Sequence, residues 1–261
     1  MKNRPVRTGL ASLDKIIGGF KPGQLIALSG PTGSGKTSLA TQIALHVAQQ
    51  PAGDGVFFFT YEESEQALTG RLLRQLAWPK LVHLVRTDEL DEELKNLAIM
   101  INQDSVNVED LPAQIRAYQQ TKEHSPSLVI IDSLGLVGIS STTFPHERLS
   151  EVTRQLKEMA QNYKVPILVT MHFDHPTTSN DPPVRLSLSE VAQSVGLSLE
   201  RGVDLLLRIS APYLYLQDHA ERERLARTGA PVILTVAKNR AGPTAELTLF
   251  WHQSSLLFLE K

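Results

Sequence analysis

The chain has 261 residues, 41% of them hydrophobic, which is enough for one sizeable core. Its 26 basic and 28 acidic residues leave a formal charge of -2, so general electrostatic attraction to nucleic acid or an anionic membrane is excluded and any nucleic-acid contact has to be local. With no cysteine there is no disulfide, thiolate metal site or cysteine nucleophile, and with no bilayer-length apolar run and no signal-peptide core in residues 1–9 we expect a cytoplasmic protein without a membrane partner.

Residues 25–29 (LIALS) form a short apolar run that leads into a glycine-rich turn, and residues 38–49 carry Leu39, Ile43 and Val47 at helical spacing. The order is therefore strand, loop, helix. Residues 56–60 (VFFFT) read as a strand buried on both faces, followed from about Ser64 by a helix bearing Leu68, Leu72, Leu73 and Leu76. Residues 81–85 are a further strand candidate, and 89–103 and 111–124 read as helices. Residues 127–132 (SLVIID) are a strongly apolar strand. An amphipathic helix over 147–163 turns Leu149, Val152, Leu156 and Met159 inward, and 165–171 (VPILVTM) is another buried strand. Strands alternating with helices predict an α/β fold with a mostly parallel sheet. The C-terminal third changes to strands over 203–209, 232–237, 245–250 and 256–259, with a short charged helix near 220–228, so antiparallel additions are expected. Two loops rich in Ser, Thr, Pro and Asn lie over 138–146 and 175–185. There is no internal repeat, hence one nucleotide-binding unit per chain.

Gly30, Pro31, Thr32, Gly33, Ser34, Gly35, Lys36 and Thr37 satisfy G-x-x-x-x-G-K-[ST], with Ser38 next, and they sit after a buried strand and at the opening of a helix, as that motif requires. The glycines let successive N–H groups turn inward onto phosphate oxygens, and the helix start adds its positive dipole end. Lys36 is expected on the β and γ phosphates of ATP and Thr37 on Mg²⁺. Asp132, ending its apolar strand, is the expected second Mg²⁺ contact, through water. Glu62 follows the strand 56–60 and suits the orientation and deprotonation of an attacking water, whereas Glu63 suits capping of the helix that begins near Ser64. His172 follows the strand 165–171 and suits a γ-phosphate sensor, the other reading being structural. His175 has no assignment. Lys238 and Arg240 share one side of an extended turn, which is either a solvated turn or a basic finger serving a neighbour's γ phosphate.

Taken together, these residues resemble the RecA-like ATPase core of the DnaB-type replicative helicase family over nearly the whole chain. The resemblance rests on Thr8-Gly9-Leu10 with Leu13-Asp14 and Gly18-Gly19-Phe20, and on Thr60-Tyr61-Glu62 with Glu65-Gln66. It also rests on Arg154-Gln155-Leu156-Lys157 before Val165-Pro166, and on Lys238-Asn239-Arg240-Ala241-Gly242-Pro243-Thr244. It implies that Glu62 is the catalytic glutamate, that His172 stands where the family usually has glutamine, and that Lys238 and Arg240 act in trans on an adjacent subunit's ATP. It further implies a homo-oligomer, a hexameric ring, that translocates on single-stranded DNA and unwinds duplex, with a possible replication or recombination partner. The DNA-facing loops correspond to 138–146 and to 175 through about 196, near which the basic side chains are Arg148 and Arg185. We expect one RecA-like domain over 1–261, without the family's N-terminal domain or linker helix. The Gly33-Ser34-Gly35 form of the phosphate loop is closer to RecA and KaiC relatives, so the alternatives are a KaiC-like or RadA-like regulatory or recombination-associated ATPase, or an accessory subunit of a helicase.

Overall fold

The structure is a computed structural model that describes residues 4–50, 55–78, 87–104, 107–122, 125–140, 145–172 and 202–260. In chain order the first half gives α1 (Ala11–Ile17), β1 (Leu25–Gly30), α2 (Lys36–Ala48), β2 (Val56–Thr60), α3 (Glu65–Ala77), α4 (Thr87–Asn96) and β3 (Ile99–Asn102). There follow α5 (Leu111–Lys122), β4 (Leu128–Asp132), α6 (Pro145–Tyr163), β5 (Ile167–His172) and β6 (Leu205–Ser210). The chain continues through α7 (His219–Thr228), β7 (Ala230–Asn239), β8 (Ala245–His252) and β9 (Leu257–Leu259).

The nine strands among the described residues join one sheet in the order β3-β2-β4-β5-β1-β6-β7-β8-β9. From β3 to β6 every pairing is parallel, and from β6 onward every pairing is antiparallel. This is the α/β class expected from the alternation of elements. The period-2 alternation of the strands divides their side chains between two cores. Ile26, Leu28, Phe58 and Ile130 join α1 and α2 on one face. Leu25, Ala27, Phe57, Phe59, Val129 and Ile131 join α5 and α6 on the other. A sheet covered on both sides explains why these strands read as unbroken apolar runs. Crossovers between parallel strands bring every carboxyl end to the same edge, and there the register pairs Thr60 with Asp132 and Gly30 with His172.

One expected helix is shorter than the sequence suggested. The run over 89–103 is helical only to Asn96, and Ile99–Asn102 becomes an edge strand on β2, with Val56 opposite Ile99. The Val56 amide donates to the Ala98 carbonyl over 2.7 Å. The β-branched Ile99 and Ile101 gain more by closing the open edge of a buried strand than by another helical turn. Glu63 does not cap α3: the Ser64 hydroxyl accepts from the Ala67 amide instead. The strand candidate at 81–85, the loop 175–185 with His175 and Arg185, the remainder of the second DNA-facing segment to 196, and residues 141–144 of the first loop lie outside the described residues. Among the described residues, no helix is long and apolar enough to cross a membrane.

Candidate active site

β1 delivers the chain to Gly30, and α2 begins six residues later at Lys36, so the glycine-rich turn is held between a buried strand and a helix N-terminus. Gly30 has no room for a side chain: a Cβ there would stand 2.8 Å from the Ile209 carbonyl oxygen and 2.8 Å from Ser34 Oγ. Gly35, immediately before α2, has φ of 91° and faces Phe258, whose ring would be 2.6 Å from an added Cβ. The tightness of the turn thus follows from strand, turn and C-terminal hairpin meeting at one point. Lys36 is buried and folds back, its Nζ donating to the Gly30 and Pro31 carbonyls at 2.9 Å each. The Ser34 hydroxyl is buried without a hydrogen-bond partner, the kind of group that calls for a ligand oxygen.

Next to this turn, Asp132 is buried at the end of β4 and accepts from two hydroxyls: Thr37 donates to Oδ2 over 2.7 Å, and Thr170 of β5 donates to Oδ1. Burial raises the Asp132 carboxyl pKa, against the lowering by the Thr170 and Thr37 hydrogen bonds, and the Glu62 and Glu63 charges raise it further. Beyond β4, the His172 imidazole donates from Nε2 to Glu62 Oε1 over 2.7 Å, although His172 ends β5 and Glu62 follows β2, with β4 between those strands. Glu63 forms an ion pair with Arg71 of α3, whose Nη1 donates to the Ser38 hydroxyl at 2.9 Å. Arg71 and Thr170 are therefore parts of the site that sequence reading did not single out.

Lys238 and Arg240 stand elsewhere. β7 runs antiparallel to β6, so its carboxyl end faces the start of β6, with Lys238 opposite Leu206. The Arg240 amide donates to the Asp204 carbonyl, and the Asp204 amide to the Leu25 carbonyl, each at 2.9 Å. Arg240 is thus level with the first residue of β1, while the phosphate turn follows the last. The six-residue strand between them separates the two edges by about 17 Å at roughly 3.3 Å per step. The structure brings Lys36, Thr37, Ser38, Glu62, Asp132 and His172 together and leaves Lys238 and Arg240 at the far edge.

The residues at the phosphate turn fit a nucleotide and a hard cation. A turn that excludes side chains, an orphaned Ser34 hydroxyl and a helix N-terminus make an anion cradle, and Thr37 and Asp132 offer oxygen ligands. Among the described residues no three His, Asp or Glu side chains form a ready cage, so phosphate and water oxygens would complete the shell.

The sequence profile of the DnaB-like helicase C-terminal domain matches residues 5–260. The replicative DNA helicase DnaB of Rickettsia bellii is 26% identical over 280 residues, covering 94% of this chain and 55% of that protein. The chain therefore spans about half the length of the curated relatives it matches. A solved DnaB-like replicative helicase, described with its interactions with primase, superposes with a TM-score of 0.81 at 19% identity, covering 99% of this chain and 62% of that one. A KaiC-like protein of Pyrococcus horikoshii superposes with a TM-score of 0.65 at 17% identity, covering 98% of both chains. These two likenesses show the shared RecA-like fold.

Proposed function

The chain belongs to the family of DnaB-like helicase C-terminal domains, and from that premise we propose that its 261 residues act as one cytosolic, ATP-hydrolysing motor domain that works in a ring, hexameric by family likeness, translocates on single-stranded DNA and separates duplex strands. ATP is held by Gly30 to Ser38, with Lys36 on the β and γ phosphates, and Thr37 and Asp132 hold Mg²⁺. When bound, the metal would supply neutralisation of the phosphate charge. Glu62 orients the attacking water and accepts its proton. His172, hydrogen-bonded to Glu62, is placed to feel the γ phosphate and pass its loss to the segment after β5. Arg71 holds Glu63 and the Ser38 hydroxyl, which fixes the start of α3 against α2.

The observation that carries this reading is the separation of the basic turn from the phosphate turn. Lys238 and Arg240 cannot meet their own chain's phosphates across about 17 Å of sheet, but a head-to-tail neighbour brings them to the next chain's site. Such heterologous contacts close into rings. A replication protein such as a primase is the partner class suggested by the solved relative.

Phosphate release measured with and without nucleic acids tests the proposal. Single-stranded DNA should raise turnover several-fold, and Lys36→Ala or Glu62→Gln should abolish it. No stimulation by any DNA or RNA would reject the translocase and leave a KaiC-like regulatory ATPase.

A further inference from the structure

Asp204 is the buried carboxylate at the start of β6, outside the phosphate site, and three elements converge on it. Its Oδ2 accepts from the Leu25 amide at 2.8 Å and from Lys157 Nζ of α6 at 2.6 Å. Lys157 also donates to the Gly23 carbonyl at 2.9 Å. Its Oδ1 faces Arg240 Nη1 at 3.8 Å, while its carbonyl accepts the Arg240 amide at 2.9 Å. Two cations therefore share one carboxylate, and the sharing is unequal. Lys157 has the short bond. Arg240 has a contact longer than a hydrogen bond, with a side chain about half exposed (49%).

This arrangement fixes where Arg240 begins and how far its guanidinium reaches. The backbone bond sets the root of the side chain, and the charge of Oδ1 draws the planar head toward the β6 end. Because Lys157 holds Oδ2 at hydrogen-bond distance, Asp204 acts on the guanidinium through the longer Oδ1 contact, which orients a head whose five N–H donors exceed what one oxygen accepts. We propose that Asp204 is a positioning residue that aims Arg240 at the γ phosphate bound by a neighbouring chain, with Lys157 setting the strength of the hold. The inference rests on the reading of Arg240 as a finger in trans.

The test is a double-mutant cycle on the full chain in its assembled, DNA-stimulated state, with kcat and KM measured by phosphate release and nucleotide affinity measured separately. Asp204→Asn keeps an acceptor for the Leu25 amide and removes the charge. It should lower kcat by about tenfold with KM and nucleotide affinity unchanged, and should add no further loss to the residual rate of Arg240→Ala. An undiminished kcat in Asp204→Asn, or the same fold loss in the Arg240→Ala background, overturns the inference. If Arg240→Ala alone leaves turnover intact, the finger reading itself falls, which is a separate result. Should Asp204→Asn not fold, Lys157→Met serves. It leaves the carboxylate to Arg240, tightens that contact and should lower kcat at least about threefold, again only when Arg240 is present. A loss that persists without Arg240 marks the cluster as purely structural and overturns the inference.

Discussion

At Asp132 two demands on one residue conflict. A carboxylate buried among strand ends, with Glu62 and Glu63 near, is raised in pKa chiefly by burial, and the Thr37 and Thr170 hydroxyls offset only part of that. The folded, metal-free chain therefore binds a proton at Asp132 more tightly than the unfolded chain does. By linkage, the contribution of this group to stability is greatest below the ordinary carboxylate range and is lost as pH rises through the raised value. Asp132→Asn removes that slope and keeps groups for both threonine hydroxyls. We predict that the variant melts above the parent near neutral pH, and that Mg²⁺-dependent turnover disappears. Calorimetry in the absence of nucleotide checks the first part, and a variant no more stable than the parent contradicts the account of burial. Asp132, Glu62 and the phosphate turn were legible because each ends an apolar strand in an acidic or glycine-rich break. Thr170 was not, since inside VPILVTM a threonine reads as a β-branched strand former, and only the register beside β4 turns its hydroxyl onto Asp132. Arg71 was hidden in the same way, as one of several charges on a helix.

At the scale of an element, α1 shows how a short helix is held from a distance. Its N-cap position is Leu10, which has no side-chain acceptor, yet the Ala11 and Ser12 amides both donate to the Glu260 carboxylate at 2.7 Å. The cap comes from the far end of the described chain, after β9. Asp14 adds bonds back to the Thr8 amide and hydroxyl and to the Gly9 amide, at 3.0 to 3.3 Å, so the turn before α1 is fixed as well. Glu260→Ala should cost about 1 kcal/mol of stability, the usual value of a helix N-cap. Urea denaturation measures it, and an unchanged midpoint would show that Asp14 alone holds the segment. A cap across 249 positions leaves no local signature, because capping is read from neighbours in sequence. The opposite failure occurred at α4 and β3, where local pattern was present and misleading. Residues after Asn96 continue an apolar spacing compatible with a helix, but an unpaired edge on β2 takes them as a strand. Elements buried on both faces, β1, β2, β4 and β5, were readable to within a residue or two because their composition alone requires burial.

For the whole molecule, the decisive feature is that the residues proposed for catalysis stand at two opposite edges of the sheet. The α/β alternation and the antiparallel C-terminal strands were visible in the sequence, but the opposition of Arg240 to Gly30 depends on β7 lying antiparallel beside β6 with β6 beside β1. A site split in this way makes a prediction that a self-contained site does not. Glu62→Gln chains keep Arg240 and lose the carboxylate proposed to activate water; Arg240→Ala chains keep Glu62 and lose the proposed finger. By itself Glu62→Gln should be inactive in phosphate release, and Arg240→Ala should keep only a small residual rate. Mixed in equal amounts and allowed to exchange subunits, they should recover turnover, because an Arg240→Ala chain followed by a Glu62→Gln chain creates one interface with both groups intact. Random head-to-tail mixing gives such an interface at about a quarter of positions, so recovery of up to about a quarter of the parent rate is expected if sites fire independently. Partial coupling around the ring lowers that fraction without abolishing it. If Arg240 served its own chain, every subunit in the mixture would lack one essential group, and no ratio of the two variants could restore hydrolysis.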